Sequence, residues 1–408
     1  MDCVEESLSQ FGLHETINFM NSSSPSDYSL LAPGPVNLHP DVRKALALPM
    51  IHHRTPEFDK ILARVLKGIK DVFQTKEDVY LLTATGSGGM EALLVNILSP
   101  GDTIIAISSG KFGERWAEMA RAYGAQVHVI DVPWGEAVQV AQVEELLKKY
   151  PHTRAVLCQA CETSTAVAHP VRELGALIQT YPETLFLVDG ITALGAYALP
   201  FDEWHIDGMV AGSQKAFMLP TGMAFISFSQ KAWKFIEKSR SPRFYFDVRK
   251  EKKANGSGET FYSSNVTLIR ALDVVLTLIQ NTGLEKHFAI IQRRAEFVRI
   301  FAQKLGFSLY AKAPSDSVTA LVVPLNMDGQ KIRLHLEEKY NITIMGGQDQ
   351  AKGKIIRVGH MGYIQDQEQV NLIRSLGTTL NFFDPGFISP EQIDVVVTEA
   401  KNWLEQNP

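Results

Sequence analysis

From about residue 79, short apolar runs alternate with longer amphipathic ones along the chain. Runs over 79–82, 103–107, 126–130, 154–157, 185–188, 208–211 and 224–228 are mostly apolar, as strands between two layers of helices require, with polar exceptions such as Gln126 and His128. Between them, 90–98, 113–123, 143–150 and 171–180 repeat apolar residues at helical spacing. Alternating βαβ units predict an α/β fold, a mostly parallel seven-stranded sheet between helices. The rhythm changes near residue 250, where Arg249 to Gly258 is charged and glycine-containing and predicts a loop. Beyond it, helices are expected over 266–279, 284–305, 329–340 and 390–404, and strands over 318–323 and 354–358. The pattern divides the chain into an N-terminal arm (1–30), a large domain (31–282) and a smaller C-terminal α+β domain (283–408). No internal repeat or low-complexity tract interrupts it.

Composition narrows the function classes. The 408 residues are 45% hydrophobic and 21% charged, an ordinary globular balance with room for two or three domains. A formal net charge of −5 offers no basic surplus for a phosphate backbone, so nucleic acid is not an expected partner. The start, Met1 to Ser7, is acidic and lacks the cationic and apolar regions of a secretory signal. No apolar run is long enough to cross a membrane, and Glu405 to Pro408 carries no retention address. A cytoplasmic location is the expectation. The three cysteines, Cys3, Cys158 and Cys161, do not form a disulfide framework. Cys158 and Cys161 fall in and beside a strand-like apolar run, where cysteine packs as a small hydrophobe.

Candidate chemistry gathers at the ends of the apolar runs. Lys215 follows the run Met209–Ala211, and Asp189 ends the run Leu185–Val188. Open α/β sheets bind ligands beyond the carboxyl ends of their strands. An amine there can condense with an aldehyde, and a carboxylate can face a pyridinium nitrogen, which is what a pyridoxal phosphate enzyme needs. Taken singly, a lysine is more often a solvated surface charge. The loop Thr83 to Ala92, rich in glycine and hydroxyls, follows a strand and opens a helix. Such a loop can cradle an oxyanion on its N–H groups, or it can be a tight capped turn with no ligand.

Four patches stand in order: the glycine-rich loop, Glu162 to Thr165, Val188 to Gly190, and Gly212 to Lys215. With Ala32 to Leu38 at one end and Ile356 to Gly362 at the other, the chain resembles the class V aminotransferases of pyridoxal phosphate fold type I, in particular the alanine/serine:glyoxylate (serine:pyruvate) group. The resemblance implies that Lys215 is the covalent anchor of pyridoxal 5′-phosphate and the general acid/base of the proton transfer. It implies that Asp189 keeps the pyridine nitrogen protonated, that Phe112 stacks on the ring with Ile191 on the other face, and that Thr163 donates to the phenolic oxygen. Thr85, Gly86, Ser87 and Gln214 are implied at the phosphate, and Gly34 and Arg357 at the substrate, with Arg357 gripping the α-carboxylate. Thr260 and Ser263 are implied to reach the neighbouring subunit's cofactor, making the enzyme a homodimer with shared sites. Ser263 stands where threonine is usual, and Ser264-Asn265 replaces a common proline pair.

His52, His53 and Arg54 match a segment at the site's mouth and lack metal-ligand spacing, so no metal is expected. The implied activity is ping-pong transfer of an amino group from alanine or serine to glyoxylate or pyruvate. The alternatives are a lyase on the same fold and a non-catalytic subunit. A cysteine desulfurase would need a nucleophilic cysteine beyond the lysine, and all three cysteines precede Lys215.

Overall fold

The computed structural model describes residues 28–408, so Cys3 and nearly all of the expected N-terminal arm lie outside the described residues. Seven strands form the main sheet: β1 (Val79–Leu82), β2 (Thr103–Ser108), β3 (Gln126–Asp131), β4 (Thr153–Gln159), β5 (Leu185–Asp189), β6 (Gly208–Gly212) and β7 (Ala224–Phe228). Their order is β1-β7-β6-β5-β4-β2-β3. Strands β6, β5, β4, β2 and β3 are mutually parallel, while β7 runs antiparallel to both β6 and β1. The exception has a simple cause. The link 213–223 between β6 and β7 contains no helix, and a parallel return needs a crossover longer than it provides.

Strand alternation divides the buried side chains between two layers. Phe186, Val188, Met209, Ala211 and Phe225 face one core, and Leu185, Leu187, Val210, Ala224 and Ile226 face the other. Helices Gly86–Ile97 and Lys111–Ala122 cover the second face, with Leu93, Leu94 and Trp116 fully buried. Each such side chain contributes about 1.5–3 kcal/mol of transfer free energy, which holds the strand ends rigid.

A smaller C-terminal region carries a four-stranded antiparallel sheet in the order Ser308–Leu309, Val318–Val322, Ile355–Gly359, Met345–Gly346. Helices Leu284–Lys304, Gly329–Tyr340, Asp366–Phe383 and Pro390–Gln406 pack on it around a separate core that includes Phe297, Phe301, Leu321, Leu336 and Leu376. Ser29–Leu30 pairs in parallel with Ile342–Thr343, and Leu31 joins this second core. We propose that the two regions meet near residue 282, between helices Val266–Thr282 and Leu284–Lys304.

One expectation is overturned. Residues 249–258 do not form a loop throughout, because Val248–Asn255 is helical. The Asp247 carboxylate caps it by accepting from the Arg249 N–H, and Val248 and Glu251 are buried. The glycines at 256 and 258 fall after its end.

Candidate active site

The main sheet ends in a cleft. Asp189 is the last residue of β5 and is buried. The Ile191 N–H donates to its Oδ1 at 2.8 Å, and Oδ2 has no hydrogen bond to any described residue. Burial pushes this carboxyl up to about 7. Lys215, three residues past β6, is half-buried and its Nζ donates to the Pro33 carbonyl at 2.7 Å. Burial pushes its amine down to about 8, and the neighbouring Arg357 guanidinium acts the same way. A β-carbon at Gly34 would lie 2.3 Å from Lys215 Nζ, and Gly34 has φ +122°, so glycine alone admits the lysine there.

Arg357, on the C-terminal sheet, points back at the large domain and is buried. Its Nη1 donates to the Thr163 carbonyl at 2.9 Å and its Nε to the Gly346 carbonyl at 3.0 Å. Burial lowers it to about 10. The Thr163 hydroxyl shares a 2.7 Å hydrogen bond with Thr192.

Glu162 is a member of the site that sequence reasoning passed over. Its carboxylate is buried and accepts from the backbone N–H of Phe112 (3.1 Å), Gly113 (3.0 Å) and Ser164 (3.1 Å), besides the Ser164 hydroxyl. It thereby supplies the negative charge that the N-terminus of helix Lys111–Ala122 favours, and it fixes where Phe112 stands. The Phe112 and Gly113 donors lie some 50 residues away in sequence, so no local pattern announces the role. Arg115 is the second omission. It donates to the Ser87 hydroxyl at 3.3 Å and its guanidinium lies 5.0 Å from the Phe112 ring centroid.

Helix Gly86–Ile97 starts four residues earlier than its periodicity predicts. The Thr85 hydroxyl caps it by accepting from Gly88 N–H at 3.3 Å, and the N–H groups of Gly86 and Ser87 have no described partner. A β-carbon on Gly86 would approach Ile191 Cδ1 to 2.7 Å, so glycine keeps the helix start against the loop after Asp189. A β-carbon on Gly212 would lie 3.0 Å from Gln214 Oε1, a buried amide oxygen without a partner. Free helix-terminal N–H groups, an uncommitted Asp189 oxygen and an amine biased towards neutrality fit a phosphorylated pyridine aldehyde.

Thr260 and Ser263 are not brought to this cleft. Thr260 Oγ1 donates to the Tyr262 carbonyl at 3.0 Å and pairs with the Ser264 hydroxyl. Arg54 anchors the segment through Glu259 (2.6 Å) and the Thr260 carbonyl (3.0 Å). Ser263 instead lines an open cavity of about 580 Å³ with Met50, His52, His53, Thr83 and Asn265. His52 and His53 stack at 4.5 Å, and the described residues hold no cluster of three or more His, Cys, Asp or Glu that could bind a metal.

Residues 42–373 match the family model "Aminotransferase class-V". The chain is 35% identical over 355 residues to the soluble hydrogenase small subunit of Synechococcus sp., covering 86% of this chain and 92% of that one. It is 37% identical over 355 residues to the L-aspartate–glyoxylate aminotransferase of Paracoccus denitrificans, covering 85% and 88%. Among solved structures, the alanine–glyoxylate aminotransferase of Nostoc sp. superposes with a TM-score of 0.84 at 29% identity, covering 88% of this chain and 96% of that one.

Proposed function

Because the chain belongs to the class V aminotransferases, and is thereby a pyridoxal 5′-phosphate-dependent transaminase, we propose that it moves the amino group of a small uncharged amino acid, alanine or serine, to glyoxylate or pyruvate in two half-reactions. The cofactor supplies an aldehyde that takes up the amino group and a ring that takes up the electron pair of the Cα–H bond. In this reading Lys215 would hold the cofactor and, once released, its amine would carry the proton from the substrate Cα to the cofactor's former aldehyde carbon within the first half-reaction, and back the other way in the second. Asp189 Oδ2 would face the pyridine nitrogen, the N–H groups of Gly86 and Ser87 with Thr85 and Gln214 would take the phosphate, and Phe112, Ile191 and Thr163 would orient the ring. Arg357 would exchange a backbone carbonyl for the substrate α-carboxylate, which a planar guanidinium grips with two parallel bonds.

The observation that carries this reading is the meeting of Lys215, Asp189 and Arg357, from three separate segments, in one buried cleft. The preference for a small uncharged donor is supported by the likeness to the alanine–glyoxylate aminotransferase of Nostoc sp.. The reading also includes a two-fold homodimer in which segment 260–266 completes the partner's phosphate site. It includes a cytoplasmic location, which the free thiols of Cys158 and Cys161 suit.

The test is a half-reaction. Alanine or serine added without acceptor to cofactor-loaded protein should release one equivalent of pyruvate or hydroxypyruvate per subunit, and glyoxylate added next should yield glycine. Release of neither 2-oxo acid from protein that retains its cofactor would overturn the proposal.

A further inference from the structure

Helix Lys111–Ala122 presents two residues towards the cleft one turn apart, the ring of Phe112 and the guanidinium of Arg115. Arg115 is exposed, yet it takes part in none of the ion pairs among the described residues. Its acidic neighbour Glu114 is occupied by Lys111 at 2.7 Å. Instead it reaches the hydroxyl of Ser87 in the first turn of helix Gly86–Ile97, beside the unpaired N–H groups of Gly86 and Ser87.

Those N–H groups carry only the partial positive charge of a helix end, and Gln214 is neutral. A phosphate monoester is close to a dianion at neutral pH, so the groups named so far leave most of its charge unanswered. A planar guanidinium matches phosphate oxygens with paired donors and holds its charge at any working pH. Resting on the pyridoxal phosphate reading above, we propose that Arg115 is a cofactor-binding residue that pairs with the phosphate at Ser87, and that it is what makes the site prefer the phosphorylated over the unphosphorylated aldehyde. The Ser87 hydroxyl then bridges the guanidinium and the helix N-terminus, and the Arg115–Phe112 contact fixes both relative to the ring plane.

The experiment compares two ligands on the full-length apoprotein, pyridoxal 5′-phosphate and pyridoxal, titrated by quenching of tryptophan fluorescence; buried Trp116 lies on the same helix. Arg115→Gln should raise Kd for the phosphorylated ligand about tenfold, the scale of one lost charged hydrogen bond, and leave pyridoxal within about twofold. Arg115→Lys should recover part of the loss, because it restores charge without the paired donors. The salt dependence of phosphate-ligand binding should flatten in Arg115→Gln. Equal weakening of both ligands would show that Arg115 only steadies Phe112, and would overturn the proposal. So would unchanged affinity for both, or a changed alanine-to-aspartate preference at unchanged cofactor affinity. If the unsubstituted protein binds neither ligand, the cofactor reading itself falls, an outcome distinguishable from all of these.

Discussion

Two faces of the large domain differ in how finished they are. At the carboxyl ends of β5 and β6, Asp189 and Arg357 are buried and Lys215 half-buried, and they hydrogen-bond to Ile191, Pro33, Thr163 and Gly346. Around Met50 and segment 260–266, Met50, Phe244, Tyr245 and Phe261 are exposed, beside an open cavity lined by Ser263, His52 and His53. Exposed apolar clusters rimmed by polar groups mark association surfaces. The first face draws its candidate reacting groups from one chain; the second has the character of a surface awaiting a partner. That contrast separates residues whose loss should abolish turnover from residues whose loss should depend on which subunit carries it.

The largest effect falls in the enclosed face. Lys215→Ala should lower kcat for alanine–glyoxylate transfer by on the order of 10³-fold or more, since in the proposed reading it removes both the anchoring amine and the proton carrier. A steady-state assay on folded variant checks it, and retention of a tenth of the activity would break the comparison. Next, Asp189→Asn should cost on the order of 10²-fold in kcat with cofactor still bound. An amide in that position cannot supply the charge that holds a pyridine proton.

The shared-site half of the contrast is sharpened by mixing subunits. Thr260→Ala combined with Ser263→Ala should weaken cofactor binding about tenfold, the order expected for losing hydrogen bonds to a charged group. Hybrids of this chain with Lys215→Ala contain one intact site per mixed dimer if 260–266 crosses to the partner. At a cofactor concentration too low to load the double variant's own homodimers, random equal mixing should then restore roughly a quarter of normal activity, because about half the dimers are mixed and each has one intact site of two. No recovery would mean that the segment serves its own subunit, or none.

How much of this was legible depends on whether the signal was local. Apart from the largely exposed edge strand Gln126–Asp131, the strands could be read because they are apolar on both faces, and Lys215 and Asp189 because they stand at or just past the ends of such runs. Helix Val248–Asn255 was missed because it buries only Val248 and Glu251 and is otherwise charged, too little apolar surface to set a period. Glu162 drew notice only as part of a hydroxyl-rich patch. Its work is done on Phe112 and Gly113, and only folding brings those N–H groups to it. Thr260 and Ser263 could be flagged by resemblance, but a single chain contains no partner that would explain their placement.

The pH response gives a smaller effect with a definite sign. An amine lowered to about 8 is neutral in roughly a tenth of molecules at pH 7, against roughly 0.03% for an ordinary lysine. The rate at which apoprotein captures the cofactor aldehyde should therefore rise about tenfold per pH unit below 8 and level off above it. Asp189, raised to about 7, ionises within the same range, so stopped-flow absorbance should be repeated on Asp189→Asn to isolate the lysine. A rate still climbing steeply at pH 10 would mean that Lys215 is not depressed.

Burial acts on the cysteines with the opposite chemical consequence, and there the smallest effect is expected. Cys158 and Cys161 are both buried, Cys161 accepting from the Ser317 hydroxyl at 3.5 Å, and desolvation pushes both thiols up. Like Lys215 they are driven towards the uncharged form, but an uncharged amine is a nucleophile whereas an uncharged thiol is a poor one. The same low-dielectric interior thus readies the lysine and silences the cysteines beside it. Cys158→Ala and Cys161→Ala should keep kcat within about threefold, because they lose only packing and one weak sulfur hydrogen bond each. A loss of tenfold or more in either, with cofactor affinity and folding unchanged, would show that a thiol takes part in the reaction and would move the chemistry away from simple amino transfer.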